Sequence, residues 1–124
     1  MILPDTGIWI DLFRRATHKA EMEKLVSTRQ LVMHPFVIAE LALGSLHDRL
    51  RTLADLERLP QTRVATTNDV RYMIEVRSLY SKGIGLTDAH LIASCLMSPS
   101  TLLWTSDVRL GNVAASLGVR ADLP

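Results

Sequence analysis

The 124 residues contain a single cysteine, Cys95, so no internal disulfide can staple the fold. A reducing compartment such as the cytoplasm is the expected setting. The four histidines, His18, His34, His47 and His90, show neither HxxxH nor cysteine-associated spacing, which argues against a zinc site. No serine or cysteine sits in a constellation that would make it a nucleophile. The opening residues, MILPDTGIWIDLFRR, carry acids at Asp5 and Asp11 and no basic lead, so no signal peptide is expected. The longest stretch without Asp, Glu, Lys or Arg, Ala89 to Ser106, is 18 residues long and broken by Pro99 and a Ser/Thr cluster, SPST. It reads as a buried helix followed by a strand, with no membrane span. Repeats, low-complexity tracts and long linkers are all absent, so residues 1–124 are expected to form a single domain.

The composition is that of an ordinary globular chain, 48% apolar and 22% charged. The net charge of +1, from 14 basic and 13 acidic side chains, predicts neither strong binding to nucleic acid nor its avoidance. That average conceals a division if four of the acids gather in one place. The rest of the chain then holds 14 cations against nine anions, and a basic surface around an acidic hole suits a polyanion that must meet a metal.

Short apolar runs alternate with longer helical patterns, the signature of a parallel sheet with helices on its faces. Strands are expected at MIL, ending at or before Pro4, then at QLVMH, RVAT and TLLWT, with an optional fifth at Val119 to Ala121. Between them the spacing predicts helices opened by Asp5, Thr17, His34–Pro35, Ser45, about Asn68, Thr87 and Asp107. Leu46, Leu50, Leu53 and Leu56 form an apolar stripe on one of these helices, the one that Pro60 ends. The expected fold is α/β, a three-layer α/β/α sandwich with a central, mostly parallel sheet of four or five strands.

In such sheets ligands sit beyond the carboxyl ends of the strands. Asp5 and Asp107 follow strands directly, Asp88 opens an apolar helix, and Glu40 lies one turn into the helix after the second strand. Asp5 and Asp107 have a plain alternative role as helix caps, worth ~0.5–2 kcal/mol each. Asp88 already has Thr87 beside it as a cap, and Glu40, read as a buried mid-helix carboxylate, needs a partner. Oxygen-only ligands suit Mg²⁺ or Mn²⁺.

Four segments in order, MILPDTGIWID, VIAELALG, GIGLTDAHLIAS and LLWTSDVRL, resemble the PIN-domain ribonucleases, specifically the VapC-type toxins of bacterial toxin–antitoxin pairs. The resemblance covers nearly the whole chain. It implies a Mg²⁺- or Mn²⁺-dependent endoribonuclease whose catalytic and metal-binding residues are Asp5, Glu40, Asp88 and Asp107, with Thr6 and Thr105 supporting the site. It implies hydrolysis of RNA by a metal-activated water, aided by a carboxylate such as Asp88, leaving 3′-hydroxyl and 5′-phosphate ends. It also implies a cognate VapB-type antitoxin and a homodimer. Gly7 stands where a serine or asparagine is usual, and Pro4 replaces an aliphatic residue, which bears on a supporting hydroxyl rather than on the carboxylates.

Of the remaining residues, Arg109 is the best placed to contact an RNA phosphate, ahead of Arg14, Arg15 and Lys82. Asp11 and Asp69 are expected to cap helices or face solvent. Trp9, Trp104 and Cys95 fit core packing. The competing classes are a receiver-like signalling domain and a non-catalytic PIN-like binding module. RVATTND lacks the strand-end aspartate that the first requires, and all four acids remain, which argues against the second.

Overall fold

Two apolar triplets a hundred residues apart in sequence meet at the centre of the molecule. In the computed structural model, which describes residues 1–124, β1 (Ile2–Pro4) lies parallel to β2 (Leu102–Trp104), pairing Ile2 with Leu102, Leu3 with Leu103 and Pro4 with Trp104. The flanking positions predicted as strands do not reach strand length. They join by single parallel bridges, Ile2 to Leu31, Met33 to Gln61 and Leu103 to Arg120. RVAT forms no strand, because the bridge on that side falls earlier, at Gln61.

Proline explains one of these truncations. Ile2 donates to the Gln30 carbonyl and Val32 donates to that of Ile2, so the next donor along β1 on this side would be residue 4. Pro4 has no N–H, and the ladder stops. On the opposite edge of β1 nothing is lost, since the Asp5 N–H donates to the Trp104 carbonyl at 2.9 Å.

Seven helices connect these segments: α1 (Thr6–Arg15), α2 (Lys19–Ser27), α3 (Pro35–Ala42), α4 (Arg49–Glu57), α5 (Thr67–Val76), α6 (Leu86–Met97) and α7 (Val108–Ser116). The fold is α/β. Every residue of α6 from Ala89 to Cys95 is buried, as suits a helix apolar on all sides. Trp9, Trp104 and Cys95 lie in the same 27-residue core cluster. No helix is long and apolar enough to cross a membrane.

Several helix starts differ from the sequence expectation. α2 begins after His18 rather than at Thr17, and α4 after Asp48 rather than Ser45, both through residues in left-handed conformation. Arg49 supplies the reason at α4: its guanidinium donates to the carbonyls of Ala42 and Gly44, tying the new helix to the end of α3. Of the leucine stripe only Leu56 is buried, and Leu50 is 86% exposed. α5 ends at Val76, well before Gly83, and opens with a capping box between Thr66 and Asp69.

His34 opens α3, as expected, through its own ring. Nδ1 accepts the Phe36 N–H at 2.9 Å, which requires a neutral imidazole. Burial, and then the neighbouring His90, lower its pKa from 6.5 to about 4. The folded state therefore binds fewer protons than the unfolded chain between these values, and stability falls as the pH drops from about 6.5 towards 4. His34→Asn, which keeps a capping acceptor, should remove this component; urea midpoints across that range that fall as steeply in the variant would contradict the assignment.

Candidate active site

The parallel segments follow the spatial order 61, 31–33, β1, β2, 120, so the chain winds one way from β1 and the other way from β2. Strand order reverses between them, and a crevice opens there at the carboxyl ends. Asp5 and Thr105 are the residues that leave these two ends, and they bond directly: the Thr105 hydroxyl donates to Asp5 Oδ2. The same hydroxyl accepts the Asp107 N–H at 3.0 Å, so one threonine fixes both aspartate-bearing turns.

Each of the three aspartates also holds a helix. Asp5 Oδ1 accepts the Ile8 N–H at 3.0 Å at the start of α1, and Asp107 Oδ1 accepts the Leu110 N–H at 3.0 Å at the start of α7. Asp88 reaches back from the third position of α6 to the Gly85 N–H at 3.4 Å. The residue that precedes α6 is thus Gly85, which has no side chain to offer, and Thr87 lies inside the helix instead of capping it. Capping and membership of an acidic site are therefore compatible, because each carboxylate has two oxygens. Asp88 Oδ1 and Asp107 Oδ2 accept nothing from the protein.

Glu40 corrects a second expectation. Val37 and Leu41 form the buried side of α3, and Glu40 turns away from them into solvent. Its partner is Thr6, whose hydroxyl donates to Oε1 at 2.5 Å from the first turn of α1. Gly7, beside it, has room for a larger residue, since a Cβ there would meet only Asp5 Oδ1 at 3.4 Å.

The charges feel one another. Asp5 is 7% exposed; burial raises its carboxyl above the usual 3.8, the bonds from Thr105 and Ile8 oppose that, and Asp107 and Asp11 add repulsion. Asp88 is also raised, first by burial, against its bond from Gly85, and then by the negative charges of Asp5, Asp107 and Glu40. All four acids thus lie within electrostatic reach around Asp88. No three His, Cys, Asp or Glu side chains are drawn together closely enough to hold an ion by themselves. Arg109 follows Asp107 on α7, and its side chain lies across Gly83.

His90 is buried on another side of α6 from Asp88, near His34 and Phe36. The Cys95 thiol, buried, is pushed up to about 12 and is no nucleophile. The sequence reading singled out Lys82 but passed over Arg77. The missed signal is a segment from Val76 to Thr87 that contains no acid at all.

A raised folded-state pKa means that the folded protein holds protons which the unfolded chain has released. Without a bound cation, Asp5 and Asp88 therefore cost stability as the pH rises from about 3.8 through their raised values, and the cost persists above them. In EDTA, Asp88→Asn should gain stability over the wild type progressively across that interval. A urea-midpoint difference that shrinks as the pH rises would have the wrong sign.

The PIN domain profile matches residues 2–116. Two curated relatives, each named Ribonuclease VapC32, from two strains of Mycobacterium tuberculosis, are 39% identical over 119 residues, spanning 96% of this chain and 94% of theirs. The chain belongs to the PIN-domain family, in its VapC-type branch.

Proposed function

We propose that the protein is a divalent-metal-dependent endoribonuclease, the toxin of a toxin–antitoxin pair, and that Asp5, Glu40, Asp88 and Asp107 are its catalytic and metal-holding residues. The observation that carries this is the acidic group at the β1–β2 crevice, in which Asp88 is raised first by burial and further by the charges of the other three. The similarity to the VapC32 ribonucleases supports the choice of RNA as substrate. The same reading takes residues 1–124 as a single domain of three-layer α/β/α architecture, built on the two-stranded β1–β2 sheet with its single parallel bridges on either side.

The donor set suits Mg²⁺ or Mn²⁺. All four groups are carboxylates, and the buried ones carry repulsion that a cation relieves. No three of them stand close enough to hold an ion unaided, so an ion would be held by one or two of these carboxylates with water completing its shell. Such an ion, when bound, supplies charge neutralisation at the phosphodiester and makes water more acidic.

The protein's own groups do the rest. Thr105 and the Ile8 N–H lock both oxygens of Asp5, so its carboxylate has one orientation. Thr6 aims Glu40 from the neighbouring helix. Asp88, half-buried with Oδ1 free and its pKa above that of an ordinary aspartate, is the group suited to accept a proton from the attacking water.

The same reading includes a VapB-type antitoxin, whose arginine-bearing tail fills the acidic crevice, a homodimer, and residence in the cytoplasm. Leu43 and Leu50, 89% and 86% exposed around the α3–α4 turn, offer apolar surface for such contacts.

Cleavage of a mixed RNA pool should occur with Mg²⁺ and disappear with EDTA or in Asp5→Asn. Equal cleavage under all three conditions would reject the mechanism. Thr105→Val, which keeps the shape but removes the hydroxyl, should lower kcat by one to two orders of magnitude, about what loss of an orienting partner costs at a metal site. An unchanged kcat would remove Thr105 from the site.

A further inference from the structure

Beside the acidic crevice lies a second depression of about 440 Å³, of opposite character. Arg77, Lys82 and Arg109 line it together with Ser78, Ser81 and Asn112, and no acid contributes to its wall. Three like charges around one cleft repel one another unless something negative lies between them. The protein supplies nothing of the kind. Its three ion pairs, Arg15–Asp11, Arg58–Asp55 and Arg71–Glu75, involve none of the cleft cations, and none of the three donates a hydrogen bond within the chain in the way Arg49 does.

One of the cations is held in place without a partner. Gly83 has φ +78°, and a Cβ there would fall 2.6 Å from Arg109 Cδ and 2.9 Å from a guanidinium nitrogen. The side chain of Arg109 therefore rests on bare backbone that only glycine provides. Gly83 lies two residues before Gly85, where α6 and Asp88 begin, and Arg109 lies two residues after Asp107. Along the backbone the cleft is thus two residues from Asp107 and, through Gly83, two residues from Gly85, whose N–H donates to Asp88.

We propose that Arg77, Lys82 and Arg109 form a phosphate-binding cleft that grips the backbone of the RNA strand next to the bond being cut. Guanidinium and ammonium groups bind phosphate oxygens without regard to base, and the serine hydroxyls and Asn112 add neutral donors. The cleft offsets the difficulty posed by the rim itself: four carboxylates repel a polyanion, and cations close by bring the strand in and fix its path past Asp88 and Asp107. The choice of RNA as occupant rests on the ribonuclease reading; the affinity for phosphate does not.

The test uses anisotropy of a short labelled oligoribonucleotide on the Asp5→Asn protein, and of a labelled oligodeoxythymidylate, which has the phosphates but no 2′-hydroxyl, on the wild type. Arg77→Ala, Lys82→Ala, Arg109→Ala and the triple variant are compared across a KCl series, with Arg58→Ala as the control because that arginine is already paired. Each cleft substitution should weaken binding about fivefold at roughly 0.1 M salt and reduce the log–log salt slope by about 0.7, so the triple variant loses about two from its slope. A triple variant with the affinity and slope of its parent, or absence of binding both of RNA to the Asp5→Asn protein and of DNA to the wild type, overturns the proposal. Tighter capture of polyglutamate than of either oligonucleotide would also overturn it, by assigning the cleft to an acidic protein partner. A protein that binds DNA through these cations yet cuts no RNA with Mg²⁺ would leave the cleft standing and remove the ribonuclease reading instead.

Discussion

The parallel pairing of β1 with β2 is the constraint on which everything else depends. It brings the fifth residue of the chain beside residue 105, and the Thr105 hydroxyl then locks Asp5 while receiving the Asp107 N–H. Strand order reverses at this pair, which is where open sheets of this kind hold their ligands. The acids do not find one another through mutual affinity, since at neutral pH they repel. Buried apolar residues on either side, among them Leu3, Ile8, Leu103 and Leu110, set the backbone, and the backbone sets the charges.

The aspartates hold an economical double position. One oxygen of each caps a helix and so contributes to the fold, while Asp88 and Asp107 retain an oxygen that the fold does not use. The burial that raises Asp5 and Asp88 works against stability, and the same burial strengthens any interaction with a cation or a phosphate. The basic cleft alongside carries the opposite sign of strain. Two neighbouring regions that each repel themselves are complementary to the two parts of one ligand complex, a divalent ion and a phosphate chain.

The sequence placed Asp5 and Asp107 at strand-to-helix junctions, where the structure has them, and read their surroundings less well. An acid directly after an apolar run is where a strand gives way to a helix, and Asp5 and Asp107 both lie there. Glu40 was misjudged because VIAELALG is apolar on nearly every side, so its helical phase could not be read, and Val37 and Leu41 alone fix it. The strands were overestimated because β-propensity says nothing about whether a partner is in register, and Pro4 cuts a ladder that its neighbours would have continued. Ser45 looked like a cap, but what begins α4 is Arg49 reaching back to carbonyls of α3, a contact between elements that local pattern does not contain. Lys82 and Arg109 were named singly, but their meeting with Arg77 in one cleft was not legible, since Arg109 lies more than 25 residues beyond Lys82.

The thiol of Cys95 is 4% exposed on the helix that the core surrounds, and no other sulfhydryl competes with it. An alkylating reagent cannot reach it while α6 stays packed, and burial keeps the thiol protonated there; opening removes the burial and restores an ordinary, reactive thiol. The rate of its modification is accordingly a clock for how often the centre of the molecule opens, readable without any engineered label. Ligands that settle in the crevice at the start of the same helix must slow that clock, so occupancy of the site leaves its mark on a chemistry in which the site takes no part.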